Sequence, residues 1–72
     1  MPVEYQEVYM AAVLVSKDRR GNEVWAKHDG ESGCYELFAS EECDDYLGVT
    51  DTIKEARDFA AGRFQEIAAG VI

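Results

Sequence analysis

Lysine and arginine are missing from a long stretch of this 72-residue chain. No basic residue occurs between Lys27 and Lys54, where eight carboxylates fall, whereas the rest of the chain holds seven acids and seven bases. The formal charge of -8 therefore comes from this stretch, here called the acidic segment (residues 28–53). Such an anionic protein is repelled by phosphate backbones and anionic lipid and is attracted to cationic protein surfaces, so direct nucleic-acid binding is not expected. The carboxylates are Asp29, Glu31, Glu36, Glu41, Glu42, Asp44, Asp45 and Asp51.

Cysteine, proline and long apolar runs are also scarce. The longest apolar run, Val8 to Val15, is too short to span a bilayer, and the N-terminus lacks the basic region of a secretion signal. Two cysteines, Cys34 and Cys43, fit a reduced cytosolic protein better than a disulfide scaffold, although a bridge between them is conceivable. We expect a cytoplasmic protein with no membrane segment.

The chain is predicted to be one domain (residues 1–72). Strands are expected at about 8–16, 23–28 and 34–40, because these stretches are rich in β-branched and aromatic residues and end at polar or glycine-bearing turns. Residues 41–51 are expected to form an acidic connection. The predicted fold is α+β: a three-stranded antiparallel β-meander, followed by one C-terminal helix packed on one face.

The helix is expected at about 53–69. Thr52 to Glu55 has the form of a capping box, in which each end residue would bond the backbone amide of the other. Gly70 should end the helix, and Gly62 within it costs up to about 1 kcal/mol relative to alanine, which suggests the close approach of a neighbouring backbone. Phe59 lies off the apolar stripe and either closes one edge of the core or faces a partner. The stripe consists of Ile53, Ala56, Ala60, Phe64, Ile67 and Val71.

The first predicted strand is apolar on both faces, and in a simple meander it lies at the edge of the sheet. Such an edge is open to pairing with another chain. Pairing of first strands across a two-fold axis would cover it and would support a domain of this small size. The alternative is that residues 1–7, or the segment around Tyr46 and Leu47, fold over the open face.

Trp25 has two interpretations, because alternation along a strand does not say which face is inside. If the helix packs on the Val24 side, Trp25 projects from the opposite face as an aromatic anchor of the kind that dominates binding at interfaces. Otherwise Trp25 is the centre of the core.

Catalytic and metal-binding signatures are absent from the sequence. There is no nucleophile elbow and no phosphate-cradling glycine loop, and the acidic segment lacks the ligand spacing of an EF-hand. The spacings of His28, Cys34 and Cys43 match no zinc motif. We therefore predict a protein that is not an enzyme, with no catalytic residue, no metal and no cofactor.

The stretch Tyr46-Leu47-Gly48-Val49-Thr50-Asp51-Thr52-Ile53-Lys54-Glu55-Ala56-Arg57-Asp58-Phe59-Ala60, after three strands, resembles the end of the AP2 and integrase N-terminal class of domains. That resemblance implies a sheet followed by a helix. Domains of this class bind DNA through basic and aromatic residues on the sheet. Here the sheet offers only Lys27 on its second strand and Glu36 on its third, so DNA binding is not carried over.

In size and acidity the chain resembles small phage-encoded inhibitors of the anti-CRISPR kind. That resemblance implies a protein in a host cytoplasm that occupies the basic, nucleic-acid-binding surface of a larger complex, with carboxylates in place of phosphates. We expect a binding protein of this type; the alternative is a structural homodimer whose acids serve only solubility. The expected partner-binding residues are Glu31, Glu36, Glu41, Glu42, Asp44, Asp45, Tyr46, Asp51, Trp25 and Phe59.

Overall fold

The structure is a computed structural model that describes residues 12–72. Within them, four strands form one antiparallel sheet in the order β1-β2-β3-β4, and one helix follows. The α+β class and the C-terminal helix are confirmed, whereas the predicted count of three strands is wrong. The elements are β1 (Val13–Lys17), β2 (Glu23–His28), β3 (Tyr35–Phe38), β4 (Tyr46–Thr50) and α1 (Ile53–Ala68).

The additional strand, β4, lies inside the stretch that we expected to be an acidic connection (41–51). Its aromatic Tyr46 and β-branched Val49 suit a strand, but Gly48 between them weakens the pattern, because glycine is depleted in strands. β4 pairs with β3 through a register shift, and Gly48 lies beside this irregularity. The connection therefore shortens to residues 39–45, here called the acidic turn.

Helix α1 begins and ends much as its sequence predicts. The Thr52 hydroxyl accepts a 3.1 Å hydrogen bond from the Glu55 amide, but the Glu55 carboxylate accepts from the amide of Asp51, at 3.0 Å, and not from that of Thr52. At the other end Gly70, with φ +79°, follows the last turn and closes a Schellman motif. The expected close approach at Gly62 is not found among residues 12–72, because a Cβ built there would meet no described atom beyond its chain neighbours and the helix's own backbone within 4 Å.

One face of α1 packs on the Val24 side of the sheet and buries a small core. Val24, Ala26 and Leu37 from the sheet, with Ala56 and Ala60 from α1, are at most 1% exposed. Three of these five residues are alanines, so the fully buried volume is modest for a domain near the lower size limit. Partly buried side chains extend the core, namely Val15, Tyr35, Leu47, Ile53, Phe59 and Phe64.

The opposite side of the sheet, here called the open face, is also apolar. In register order across the sheet, Leu14 lies opposite Trp25, Trp25 opposite Phe38, and Phe38 opposite Tyr46, so the four side chains share this face. Within residues 12–72 no helix packs on it. Of the two interpretations of Trp25, the structure places it away from the helix-covered core.

Strand β1 forms one edge of the sheet, and among the described residues its outer side pairs with no strand. The part of the predicted first strand before residue 12, and the suggested cover by residues 1–7, lie outside the described residues. The other suggested cover, the segment around Tyr46 and Leu47, is wrong, because it forms β4 at the opposite edge.

Candidate functional site

The meander divides the carboxylates of the acidic segment between the two ends of the sheet. The acidic turn joins β3 to β4 at one end, whereas the β2–β3 turn (residues 29–34) and the start of α1 lie at the other. The four residues of β3 separate these ends by about 14 Å at the rise of an extended strand. The acidic segment, continuous in sequence, therefore lies at two separate ends of the sheet, with Glu36 on the strand between them.

The acidic turn concentrates four of the eight carboxylates. It is closed by a hydrogen bond from the Ala39 amide to the Asp45 carbonyl, at 2.9 Å, and Cys43 within it has a left-handed φ of +60°. All four acidic side chains are exposed, and none takes part in an ion pair or a side-chain hydrogen bond within the part of the chain that the structure describes. These residues are Glu41, Glu42, Asp44 and Asp45.

Tyr46 follows directly on the acidic turn and is 58% exposed. Its ring meets that of Phe38 edge to face, with the ring centroids 5.8 Å apart. This contact holds one side of an exposed aromatic beside four carboxylates that have no basic partner within residues 12–72. An aromatic in that position offers both contact area and a phenol group to a partner.

The other acidic end is tied together through Cys34. Its thiol lies 3.2 Å from a carboxylate oxygen of Asp51, and this hydrogen bond is the main reason that the pKa of the thiol is raised. Asp29 accepts hydrogen bonds from the Glu31 amide at 2.9 Å and from the Ser32 hydroxyl at 3.1 Å, and the first of these does most to lower its pKa. Two of these three carboxylates therefore hold turn structure, and Glu31 stays exposed.

Phe59 and Trp25, the other expected anchors, differ in their surroundings. The ring of Phe59 packs against the core and lies 3.8 Å from the position a Cβ would take at Gly48, so it closes the core edge beside β4. The Trp25 indole N–H donates to the Glu23 carboxylate at 2.7 Å, and its ring is part of the open face. Of these two, only Trp25 lies on a surface that no described helix covers.

His28, Cys34 and Cys43 do not meet. His28 ends β2 and packs against Tyr35, with ring centroids 5.0 Å apart, at the same end as Cys34. Cys43 lies in the acidic turn at the other end, and both cysteines are free. The three residues therefore cannot share one zinc ion, and the conceivable disulfide is not formed.

A basic turn that sequence reasoning did not single out lies beside the acidic turn. The β1–β2 turn (residues 18–22) is at the same end of the sheet, two strands across, or about 10 Å at the usual strand spacing. The Asp18 carboxylate accepts hydrogen bonds from the amides of Arg20 and Asn22, at 3.0 and 2.8 Å, which fixes the turn and leaves Arg19 and Arg20 exposed. Only the pairing order of the strands brings the two turns together.

The chain matches no protein-family model, and no curated protein or solved structure is significantly similar to it. None of the helices described in residues 12–72 is long and apolar enough to cross a membrane.

Proposed function

We propose that this protein is not an enzyme and that it binds a basic protein surface through its acidic turn. The observation that carries the proposal is the cluster of four exposed carboxylates without a basic partner among the described residues, directly beside the exposed ring of Tyr46. Carboxylates at the rim raise the association rate of a cationic partner, whereas an apolar anchor slows its dissociation.

The two ends contribute differently to this function. Glu31 and Asp51 lie at the far end of the sheet, beyond about one Debye length from the acidic turn at physiological salt, so they add little to its local field. Glu36 and Trp25 lie on the open face, and Phe59 lies at the core edge. The contact surface that we propose is therefore Tyr46 with Glu41, Glu42, Asp44 and Asp45.

A protein of this kind would act by occupancy. Carboxylates presented by the acidic turn would take the place of phosphates on a nucleic-acid-binding surface of a larger complex. This is the mode of action implied by the resemblance to small phage-encoded inhibitors, and it requires no cofactor.

The test compares two variants of equal charge. Glu41→Gln with Glu42→Gln changes the acidic turn, and Glu31→Gln with Glu66→Gln changes exposed residues elsewhere. Each protein is used as bait in an extract of the source cell, and captured proteins are identified by mass spectrometry. We expect a basic protein that the parent and the second variant retain and the first variant loses.

The captured protein then allows a kinetic measurement. Full neutralisation of the four turn carboxylates should slow association and flatten its dependence on ionic strength, with a smaller effect on dissociation. If the fully neutralised turn binds the captured protein at the parent rate, the proposal is wrong.

The second candidate function is a structural or assembly role as a homodimer paired through β1. The specific observation is the outer side of β1, unpaired among the described residues, with Val13 and Leu14 about half exposed on opposite faces. Its test is the mass in solution of the parent and of Val13→Lys, since a charge at the pairing edge blocks edge-to-edge association.

A further inference from the structure

The open face is charge-balanced, unlike the molecule as a whole. Its charged residues on β1, β2 and β3 are Lys17, Glu23, Lys27 and Glu36, two bases and two acids. Lys17 pairs with Glu23 at 3.8 Å, and Lys27 lies opposite Glu36 in the strand register. A cationic surface therefore gains little from this face, and an apolar partner with balanced charge suits it better.

This face also exposes large apolar side chains. Leu14 is 47% exposed, Tyr46 58% and Val49 55%, and they flank a centre made of Trp25, which is partly buried, and Phe38, which is buried with 9% of its surface exposed. A small domain with a modest core gains stability when such a face is covered.

We propose that two copies of this chain stack their open faces about a two-fold axis that runs parallel to the strands, between β2 and β3. This operation places β2 of one copy over β3 of the other and β1 over β4. Lys27 and Glu36 lie at the same level of the sheet, so Lys27 of each copy then faces Glu36 of the other. The two-fold symmetry produces two such contacts in the dimer. Two sheets packed in this way lie about 10 Å apart, a gap that lysine and glutamate side chains can bridge.

The same axis aligns the apolar residues. Trp25 lies at the level of Phe38, so each indole faces the other copy's phenyl ring. Leu14 lies at the level of Trp25 and Tyr46 at the level of Phe38, so leucine faces tyrosine across the stack. One two-fold operation therefore satisfies the charged pair and both apolar pairs.

The turns at the end of the sheet follow the same rule. The β1–β2 turn, with Arg19 and Arg20, lies over the other copy's acidic turn, so the basic and acidic turns become partners. The β2–β3 turn, with Asp29 and Glu31, faces the same turn of the other copy. Because this brings carboxylates close to carboxylates, it opposes the stack. A two-fold axis perpendicular to the strands, within the plane between the sheets, would place each strand over the same strand of the other copy in the opposite direction. Lys27 would then no longer face Glu36.

The stack does not depend on the proposed binding of a basic partner. It differs from pairing through β1, because it uses side chains of the face and not the backbone of the edge. Charge reversal distinguishes the two dimers. Lys27→Glu places glutamate over glutamate, and Glu36→Lys places lysine over lysine, whereas a mixture of these two variants restores opposite charges at both contacts.

The experiment is sedimentation velocity on the full chain over a wide concentration range. We expect the parent to dimerise, each single variant to lose at least about tenfold in dimer affinity, and the equimolar mixture to recover it as a heterodimer. Circular dichroism verifies that both variants fold. The matched control is the pair Arg57→Glu and Glu66→Lys on the exposed side of α1, which should leave the parent dimer unchanged.

Recovery on mixing cannot arise from an effect on the folding of either variant alone, so it supports the stack directly. Three results would overturn the proposal: a parent that is monomeric at every concentration, a dimer that neither reversal weakens, or variants whose mixture fails to recover. A dimer that Val13→Lys abolishes and Lys27→Glu leaves intact is the edge-paired dimer instead.

Discussion

Replacement of Gly62 by alanine should stabilise the protein. Glycine inside a helix is about 0.8–1.0 kcal/mol less favourable than alanine, chiefly because its unfolded backbone is freer. Gly62 lies in the middle of α1, and a Cβ built there comes within 4 Å of no described residue other than the backbone of the helix itself. No clash offsets the gain, so Gly62→Ala should raise the free energy of unfolding by about 1 kcal/mol.

The assay is urea denaturation followed by circular dichroism, with thermal denaturation as a second measurement. For a domain of this length, about 1 kcal/mol corresponds to a rise of roughly 4–8 °C in Tm. The slope of the free energy with urea should stay the same, because the substitution leaves the surface exposed on unfolding almost unchanged.

The matched control is Gly70→Ala. Gly70 has φ +79°, a left-handed conformation in which alanine is strained by roughly 1–2 kcal/mol, so the same chemical change should destabilise the protein. If Gly62→Ala is neutral or destabilising while Gly70→Ala behaves as expected, then Gly62 has a close neighbour that the structure does not show, and the reasoning is refuted.

Two further predictions concern titratable groups. In a Cys43→Ser background, Asp51→Ala should speed the alkylation of Cys34 by iodoacetamide at mildly alkaline pH. The reason is that the hydrogen bond to Asp51, together with the charge of that carboxylate, raises the pKa of the thiol. An unchanged rate of alkylation would contradict the contact. The pKa of Asp29 is lowered from its ordinary value of 3.8, chiefly by the Glu31 amide, so its ionised form stabilises the fold above that value, and the stabilisation disappears as the pH falls through the lower folded pKa. The difference in Tm between the parent and Asp29→Asn should therefore close in strong acid, and a difference that persists at every pH would argue against this assignment.

Local signals in the sequence predict local structure well in this chain. The capping residue Thr52, the apolar spacing after it and Gly70 place α1 within one residue of its observed end. β2 is predicted with its bounds intact, since alternation and flanking turn residues define it. These features depend on neighbours in the chain, which the sequence displays directly.

The sequence does not predict β4 because its strand signal is weak and directly follows a strong charge signal. Tyr46 and Val49 favour a strand, but Gly48 interrupts them and four carboxylates precede them, a composition that is more typical of a loop. The sequence therefore predicted a connection where the structure has an edge strand. Gly48 lies beside a shift in the β3–β4 register, and the Phe59 ring is 3.8 Å from the position that a Cβ would take there; both features depend on tertiary structure.

Continuity of charge along a chain does not give continuity of charge on a surface. In an antiparallel meander each successive turn lies at the opposite end of the sheet, so a run of acids that spans two turns is divided between two ends. The same alternation brings together turns that are distant in sequence, which is why the basic β1–β2 turn lies beside the acidic turn. Neither consequence follows from composition or periodicity, because both require the order of the strands.

The order of the strands also means that the two proposed complexes compete for the acidic turn. The acidic turn is the surface that we propose for a basic partner, and the stacked dimer covers it with Arg19 and Arg20 of the second copy. Binding to one excludes binding to the other, so by mass action a basic partner should dissociate the dimer, and the apparent affinity for that partner should fall as the concentration of this protein rises. Lys27→Glu leaves the acidic turn intact but weakens the stack, and it should therefore bind the partner with an affinity that no longer depends on its own concentration. If both proposals hold, the second copy acts as an internal competitor, and the dimer is the storage form from which the binding protein is released.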